Sequence, residues 1–213
     1  MISCISSDNV HEFGTVFHSQ FRLRYAEFIA RQHYEVPVYE GMEFDQYDTP
    51  ASRYLVYHTE DGRALGVSRL TPTSLSCMLK DLWPQMVSDK SLLQSPLIWE
   101  GSRYCVAKDV TPVLRQQIVN ELACAYLEFG LRFGLDKIIG LMPTFIYRSV
   151  FERPGIKMER LGDVRELGGF KCRAVAIPVT AQQLANVRRK TGIAHAVLRF
   201  TKHEGERGYA KAA

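Results

Sequence analysis

Apolar residues recur at helical spacing in some segments and at strand spacing in others, and these changes of period predict the elements of the chain. Near the N-terminus, residues three or four positions apart predict a helix whose apolar face consists of Val10, Phe13, Phe17 and Phe21. Asn9 is the candidate N-cap of this helix, and a second helical piece follows with the apolar residues Tyr25, Phe28 and Ile29. Residues 39–55 then break the period with glycine, proline and acidic side chains and are predicted to form a loop.

Strand-like runs dominate the next segment, and a turn signal joins the first two. The run "RYLVYHTEDGRALGVSRLTPT" contains Asp61-Gly62, a pair that is typical of tight hairpins. A third strand is predicted over residues 97–107, and two further strands over "KIIGLM" and "FKCRAVAIPV".

Helices separate the later strands. Thr111 and Pro112 suit the N-cap and first position of a long helix that Gly134 ends. Its apolar face consists of Leu114, Ile118, Leu122, Tyr126, Phe129 and Phe133. Another helix opens at Pro143, and Thr180 begins the last one. This order predicts an α/β fold, a three-layer α-β-α sandwich with a mixed twisted sheet.

The composition supports one domain. The chain has 213 residues, of which 46% are hydrophobic and 23% charged. That is enough apolar material for a core that needs no metal or disulfide. We expect residues 1–200 to form a single domain and residues 201–213, which are polar and small, to form a flexible tail.

Charge and cysteine usage argue against several classes of protein. The net charge is +4 and no basic run is interleaved with aromatic residues, so no nucleic-acid partner is expected. The five cysteines form no C-x-x-C pair and no histidine pair has metal-ligand spacing, so we expect reduced thiols and no metal. No signal peptide and no apolar run of ~18 residues is evident, which predicts a soluble cytoplasmic protein without a membrane partner.

The predicted loop and strands carry a concentration of charge. The acids are Glu43, Asp45, Asp48 and Glu100, and the arginines are Arg24, Arg69 and Arg103. Glu100 and Arg103 are three apart on one strand and share a face only if that strand has a bulge, for which Gly101 is the expected place. A bulge also frees backbone N–H groups that can hold a thioester carbonyl oxygen as it becomes an oxyanion.

Two interpretations of these charges are open at this point. One is a solvated acidic loop with ion pairs at strand edges. The other is a partly desolvated pocket that attracts a cationic small molecule, because carboxylates and aromatic faces both attract cations. Neighbouring aromatic residues favour the pocket, and they are Phe44, Tyr47, Trp83, Trp99 and Tyr104.

Three segments carry a specific resemblance to a known family. They are "GMEFDQYD", "ALGVSRLTPTSLSCMLKDLWP" and "WEGSRYCV", which contain E-x-D-x-x-D, R-L-x-P-T and E-x-S-R in that order. Over residues 20–180 the chain resembles the acyl-homoserine lactone synthases, the autoinducer synthases of bacterial quorum sensing. The resemblance implies a fold like that of the GNAT acetyltransferases.

The resemblance also implies a reaction without a tightly bound cofactor. The amine of S-adenosylmethionine (SAM) attacks an acyl thioester. The SAM carboxylate then displaces the sulfonium, which closes the lactone and releases 5′-methylthioadenosine (MTA).

The family pattern gives each charged group a role. Glu100 is placed in or near the role of proton acceptor, while Arg69 and Arg103 orient the acids and hold the SAM carboxylate. With Asp45 these residues make up the implied catalytic set. The implied SAM-binding residues are Arg24, Phe28, Tyr34, Glu43, Asp45, Asp48, Arg69 and Arg103. Tyr34 stands where the family usually has Trp.

The acyl pocket is implied in the same way. Its residues are Trp83, Ser102, Tyr104, Met142, Phe145 and Tyr147. Trp83 stands where Phe is common, and Met142 stands where some relatives have Thr, which would suit a 3-oxo group. We therefore predict a short or branched, unsubstituted acyl chain. Ordinary core packing is the alternative explanation for the bulky residues near position 142.

The acyl donor is either acyl-CoA or an acyl carrier protein, and the sequence leaves both open. An acidic carrier protein would dock on a basic surface, for which the candidates are Arg115, Arg132, Arg148, Arg153, Lys157 and Arg160.

Two other functions compete with this prediction. A GNAT-type N-acetyltransferase using acetyl-CoA would need a glycine-rich turn after the third strand, and "VTPVLRQQIVNEL" has no glycine. A non-catalytic SAM or small-ligand sensor would not need the full set of acids and arginines.

Overall fold

The computed structural model describes residues 1–32 and 35–200. Its strands are β1 (Ile2–Ile5), β2 (Val38–Tyr39), β3 (Met42–Glu43), β4 (Arg53–His58), β5 (Ala64–Pro72), β6 (Ile98–Val106), β7 (Lys137–Pro143), β8 (Glu159–Arg160), β9 (Arg165–Leu167), β10 (Phe170–Pro178) and β11 (Leu198–Arg199). The predicted tail, residues 201–213, lies outside the described residues.

Nine of these strands form one mixed sheet. The order is β11-β1-β4-β5-β6-β7-β10-β8, with β9 also paired to β10. β1 and β11 are parallel, as are β6 and β7, while the long central pairs are antiparallel. β2 and β3 form a separate small hairpin. The mixed sheet and the hairpin around Asp61-Gly62 are confirmed, whereas β1 was not predicted although it lies inside the sheet.

The helices are α1 (Gly14–Arg24), α2 (Met78–Leu82), α3 (Pro112–Arg132), α4 (Thr144–Tyr147) and α5 (Ala181–Thr191). π-Helical segments extend α1 over Tyr25–Ala30 and α4 over Arg148–Glu152, and 3-10 turns cover Val10–Glu12, Pro84–Met86 and Lys90–Leu93.

Two of the three predicted N-caps are confirmed. Thr111 accepts a hydrogen bond from Leu114 N, and Thr180 accepts one from Gln183 N. Asn9 does not cap α1, because its side chain bonds to the backbone of residues 4 and 6, and the α-helix begins only at Gly14.

The position of the layers follows from residues on β5. A Cβ on Gly66 would lie 2.6 Å from Ile118 of α3, whereas Arg69 points to the opposite face, beside α1. α5 packs against α3. On β7, Ile138 belongs to the larger core cluster with α3, and Ile139 to a smaller cluster with Leu79 of α2. Helices therefore cover both faces, which confirms the three-layer prediction.

β6 and β7 separate beyond the first half of each strand. Their parallel pairing ends at Glu100–Ile139, although β6 continues to Val106 and β7 to Pro143. We term the diverging segments, residues 101–106 and 140–143, the fork. Glu100 lies where it opens.

The bulge on β6 exists but does not lie at Gly101, which pairs in register with Leu70. The register shifts between Ser102 and Cys105, and Arg103 has a φ of 53° in the left-handed region. The additional residue turns the Arg103 side chain to the same face as Glu100. The bulge was expected at a glycine, but an arginine occupies it and adopts a backbone conformation that favours glycine.

Within the described residues no helix combines the length and the apolar composition that crossing a lipid bilayer requires.

Gly66→Ala tests the close approach of β5 and α3. We expect the free energy of unfolding to fall by about 1–3 kcal/mol, as for other overpacked cores. The added Cβ would lie 2.6 Å from Ile118 Cγ2 and 3.3 Å from Leu122 Cδ1. Gly14→Ala is the control, because its Cβ would meet nothing within 4 Å, and we expect a neutral or slightly stabilising effect. Urea denaturation measures the free energy of unfolding of both variants. Equal changes in the two would contradict the close approach of β5 and α3.

Candidate active site

Arg24 ends α1 in a fully buried position, so its guanidinium requires charged partners. Its Nε lies 2.5 Å from Glu43 Oε2, and its Nη1 and Nη2 lie 2.7 and 2.8 Å from the two oxygens of Asp48. Tyr54 donates a further hydrogen bond of 2.8 Å to Asp48. Arg24 therefore fixes the predicted acidic loop to the N-terminal helix.

Arg69 and Arg103 reach the same acids from the sheet. Arg69 Nη1 lies 2.5 Å from Asp45 Oδ1 and 3.0 Å from Asp48 Oδ1. Arg103 Nη2 lies 2.9 Å from Glu43 Oε1 and 2.7 Å from Asp45 Oδ2. The formal charges cancel in this arginine–acid cluster, whose members are Arg24, Arg69, Arg103, Glu43, Asp45 and Asp48.

The acids also shape the backbone that carries them. Glu43 follows a tight turn in which Glu40 and Gly41 have φ values of 50° and 73°. Asp45 accepts a hydrogen bond of 2.9 Å from Tyr47 N, and Asp48 accepts one of 2.8 Å from Asp45 N. The local sequence thus folds the loop so that its carboxylates face inward.

The pKa shifts in the cluster follow from ion pairing. Burial alone would lower the pKa of Arg24 and raise that of Asp48, but their mutual hydrogen bonds and charges reverse both directions. The pKa of Arg24 is raised and that of Asp48 lies well below its usual range. A solvated acidic loop is therefore the wrong interpretation, and these acids neutralise arginines before any ligand arrives.

Aromatic rings beside the cluster lie against guanidiniums. Arg24 lies 5.0 Å from the ring centre of Phe21, Arg69 5.8 Å from Tyr47, and Arg103 5.7 Å from Phe28. Trp99 was expected here as well, but it faces the other side of the sheet and packs on Phe129 and Phe133. Tyr34 lies outside the described residues.

Glu100 differs from the other acids because no salt bridge joins it to a Lys or Arg of the described residues. Its side chain is 3% exposed and accepts a hydrogen bond of 2.9 Å from Leu79 N at the start of α2. Burial raises its pKa to about 7, and hydrogen bonds from Leu79 N and the Cys77 thiol limit the rise. A carboxyl group with this pKa can both accept and release a proton near neutral pH.

The predicted acyl-pocket residues do not share one place. Ser102 lies on the cluster side, where its hydroxyl accepts a hydrogen bond of 3.1 Å from Arg69 Nε. Trp83 packs on the smaller core cluster beside α2. Tyr104 and Met142 pack with the larger cluster on the α3 side, and the Tyr104 ring lies 5.8 Å from Phe151. Ser102 and Tyr104 are two positions apart and would share a face in a regular strand, but the bulge at Arg103 between them turns them to opposite sides of the sheet.

The remaining two predicted residues lie on α4. Phe145 is 65% exposed and contacts Phe170, so it belongs to the surface. Tyr147 is buried, and its hydroxyl donates a hydrogen bond to Arg173 O. Core packing accounts for Tyr147, as the alternative interpretation held.

Comparison with known proteins identifies the family. The model of the autoinducer synthase family matches residues 10–187. An isovaleryl-homoserine lactone synthase from Bradyrhizobium diazoefficiens is 33% identical over 166 residues, which are 76% of this chain and 72% of that protein. The chain belongs to the autoinducer synthase family.

Another relative of the synthase is an acyl-homoserine-lactone synthase from Vibrio anguillarum, 29% identical over 185 residues, which are 83% of this chain and 95% of that protein. The synthase is therefore a transferase that makes acyl-homoserine lactones, and the predicted family and activity are confirmed.

Solved structures share the fold of the synthase. BjaI, a CoA-dependent acyl-homoserine lactone synthase solved with MTA, superimposes with a TM-score of 0.83 at 28% identity, covering 94% of this chain and 93% of that one. A protein described as an N-acetyltransferase from Lactobacillus plantarum superimposes with a TM-score of 0.55 at 16% identity, covering 84% of this chain and 99% of that one. The second likeness concerns the fold alone and supports the GNAT-like prediction.

Basic residues of the synthase that were predicted to dock a carrier protein do not all come together. Arg115 donates hydrogen bonds to Val106 O and Ala107 O at the start of α3. Arg132 lies 4.4 Å from the Phe200 ring centre at the other end of this helix. A rise of ~1.5 Å per residue puts roughly 25 Å between the two.

Cys77, Met78 and Phe151 border the site of the synthase and were not predicted. Met78 Sδ lies 3.3 Å from a guanidinium nitrogen of Arg69 and 3.3 Å from one of Arg103. A thioether gives little signal in a sequence, because methionine is common in ordinary cores.

Asp48→Asn tests the cluster. The change removes one of the two carboxylate partners of Arg24 and one of the two of Arg69 in a buried site, and we expect a loss of about 3–5 kcal/mol in the free energy of unfolding near neutral pH. Because the folded-state pKa of Asp48 lies below its unfolded value, its stabilisation is present above about pH 4 and is lost as the pH falls further.

The difference between wild type and Asp48→Asn should therefore narrow in acid, as measured by urea denaturation over a pH series. Asp109→Asn, which removes an exposed ion pair with Arg63, is the control and should change little. A constant difference down to about pH 2 would contradict the charge-pairing argument.

Proposed function

We propose that the synthase joins SAM to a short, branched acyl group carried on CoA, with Glu100 as the base that removes a proton from the SAM amine. The observation that carries this proposal is the buried Glu100 carboxyl at the opening of the fork, with a pKa of about 7, beside a charge-neutral arginine–acid cluster.

SAM binding is assigned to the cluster side of the sheet. Arg69 and Arg103 hold the SAM carboxylate, because guanidiniums bind carboxylates in two-point geometry and a guanidinium nitrogen of each lies 3.3 Å from the weak acceptor Met78 Sδ. Phe28 and Tyr47 supply aromatic faces for the sulfonium end. The acids hold the arginines in place, and Glu100 supplies the negative charge that the neutral cluster lacks.

The first chemical step transfers the acyl group. Glu100 accepts a proton from the SAM ammonium, and the amine nitrogen attacks the thioester carbonyl. The carbonyl oxygen gains negative charge, for which the bulge at Arg103 offers backbone N–H groups. The C–S bond of the thioester breaks, and CoA leaves as a thiolate that is protonated.

The second step closes the lactone. A carboxylate oxygen of the acylated SAM attacks the carbon that bears the sulfonium. The C–S bond breaks, both of its electrons go to sulfur, and neutral MTA leaves. The chain's contribution is to position the carboxylate, and Arg69 and Arg103 have the geometry for this.

The acyl group is assigned to the α3 side of the fork. Tyr104, Tyr126 and Phe151 form a block of rings there, with ring centres 5.8 and 5.6 Å apart, and Met142 packs in the same cluster. These large side chains leave room for a short acyl chain. The Bradyrhizobium relative is named for an isovaleryl product, and BjaI has been solved with SAM and isopentyl-CoA, which supports a branched chain.

CoA is favoured over a carrier protein on two grounds. Two of the predicted docking residues, Arg115 and Arg132, lie at opposite ends of α3, and BjaI is described as CoA-dependent. SAM and acyl-CoA are both cytoplasmic metabolites, so we place the reaction in the cytoplasm.

Glu100→Gln tests the base. We expect kcat/KM to fall by about 10²–10⁴-fold, because an amide cannot accept the proton. In wild type, kcat/KM should rise as the pH rises through about 7, as the carboxyl loses its proton. MTA release and free thiol, followed together, measure the rate. Glu27→Gln is the matched control, because Glu27 is also buried but pairs with Arg31 and accepts a hydrogen bond from Lys108 N, beyond the end of β6 that is farther from Glu100.

Several outcomes would count against the proposal. Near-normal turnover by Glu100→Gln removes Glu100 from the mechanism. If the wild type binds SAM but releases no MTA, the result favours a non-catalytic SAM sensor. Transfer from acetyl-CoA to an amine without MTA favours the N-acetyltransferase.

Phe151→Leu tests the acyl assignment. Replacing a 2% exposed ring by a smaller side chain should open the block and raise the ratio of kcat/KM for octanoyl-CoA to that for isovaleryl-CoA by about tenfold, from the gain of apolar contact. Phe145→Leu is the control, since Phe145 lies on the surface, and should leave this ratio unchanged. Mass spectrometry of the lactones checks the products, and a shift in the Phe145 variant alone would reverse the assignment.

A further inference from the structure

Two tyrosine hydroxyls lie on the α3 side of the fork, and they differ in their partners. Tyr126 Oη lies 2.5 Å from Ser68 Oγ, with which it shares a hydrogen bond. Tyr104 Oη is buried and has no hydrogen-bond partner among the described residues. A buried hydroxyl without a partner is disfavoured in a folded protein, so this group requires an explanation.

The Tyr104 hydroxyl lies on the outer part of the fork. Tyr104 follows the bulge on β6, and its ring packs against Phe151. Burial raises the pKa of Tyr104, and the Arg115 guanidinium is close enough to oppose the rise. Tyr126 raises the pKa of Tyr104 further, and Arg115 bonds to Val106 O and Ala107 O, so the Tyr104 hydroxyl lies between the Tyr126 ring and the end of β6.

This location fits the carrier arm of the acyl donor. A thioester held at the bulge has its acyl group on one side of the carbonyl and its sulfur on the other. The sulfur continues into a pantetheine arm, whose first amide follows two methylene groups later. An arm that runs from the bulge along the α3 side of β6 passes Tyr104, the residue that follows Arg103.

We propose that the Tyr104 hydroxyl donates a hydrogen bond to the carbonyl oxygen of the first pantetheine amide, and so distinguishes a pantetheine thioester from other thioesters. This inference rests on the proposed function. It gives the Tyr104 hydroxyl a role in recognising the donor, while the Tyr104 ring remains part of the aromatic block beside the acyl chain. It applies to CoA and to a carrier protein equally, because both bear the same arm.

Two synthetic donors isolate the amide. One is the isovaleryl thioester of N-acetylcysteamine, which carries this amide. The other is isovaleryl S-pentyl thioester, which has the same chain length with methylene groups in place of the amide. Wild type should prefer the first by about 5–10-fold in kcat/KM, which corresponds to one neutral hydrogen bond.

Tyr104→Phe should abolish that preference and lower kcat/KM for isovaleryl-CoA by a similar factor. Its melting temperature should equal or exceed that of wild type, because the change removes an unpaired buried hydroxyl. Tyr126→Phe is the matched control. It removes a paired hydroxyl nearby and should keep the wild-type ratio between the two donors.

An unchanged ratio in Tyr104→Phe would overturn the inference. A wild type that shows no preference between the two synthetic donors would also overturn it. So would a loss of kcat/KM in Tyr104→Phe that is confined to acyl chains with oxygen at C3, because that result would assign the hydroxyl to the acyl chain. A wild type that makes no lactone from SAM and any of the three thioesters would instead overturn the proposed function.

Discussion

Burial of arginine governs this structure, because a guanidinium removed from water must meet carboxylates at close range. Arg24, Arg69 and Arg103 come from a helix and two strands, and one loop supplies all three of their partners. The loop therefore cannot take its shape until α1 lies against the sheet. The density of acid in residues 43–48 follows from this, since each carboxylate serves at least one guanidinium and Asp45 and Asp48 also close the turn.

The sheet divides the proposed chemistry between its two faces. The arginine–acid cluster lies on the face of α1 and α2, and the aromatic block lies on the face of α3. A flat, fully paired sheet would keep the two substrates apart. Pairing between β6 and β7 ends at Glu100–Ile139, so the proposed base lies where the fork begins. Burial raises the pKa of Glu100 to about 7, against the opposing influence of the Leu79 N–H and the charge of Arg69.

Much of the fold was predictable because its signals are local. The Asp61-Gly62 hairpin, the Thr111 and Thr180 caps and the face of α3 depend on residues a few positions apart. β1 was missed because Ile-Ser-Cys-Ile is too short to show a period, and its pairing with β4 is decided by residues far along the chain. The charged site was predictable from the motifs. The faces of Trp99 and Phe145 were not, because adjacency in sequence does not say which way a side chain points.

The bulge on β6 restricts which residue can stand at position 103. The backbone there, with a φ of 53°, suits glycine or asparagine, while the two carboxylates it joins require a forked cation. Glycine would relax the backbone but remove one of the two guanidinium partners of Glu43 and of Asp45, and lysine would keep the charge but offer a single ammonium. No single exchange meets both demands, so the strained backbone of the strand and the fold of the acidic loop depend on the same side chain.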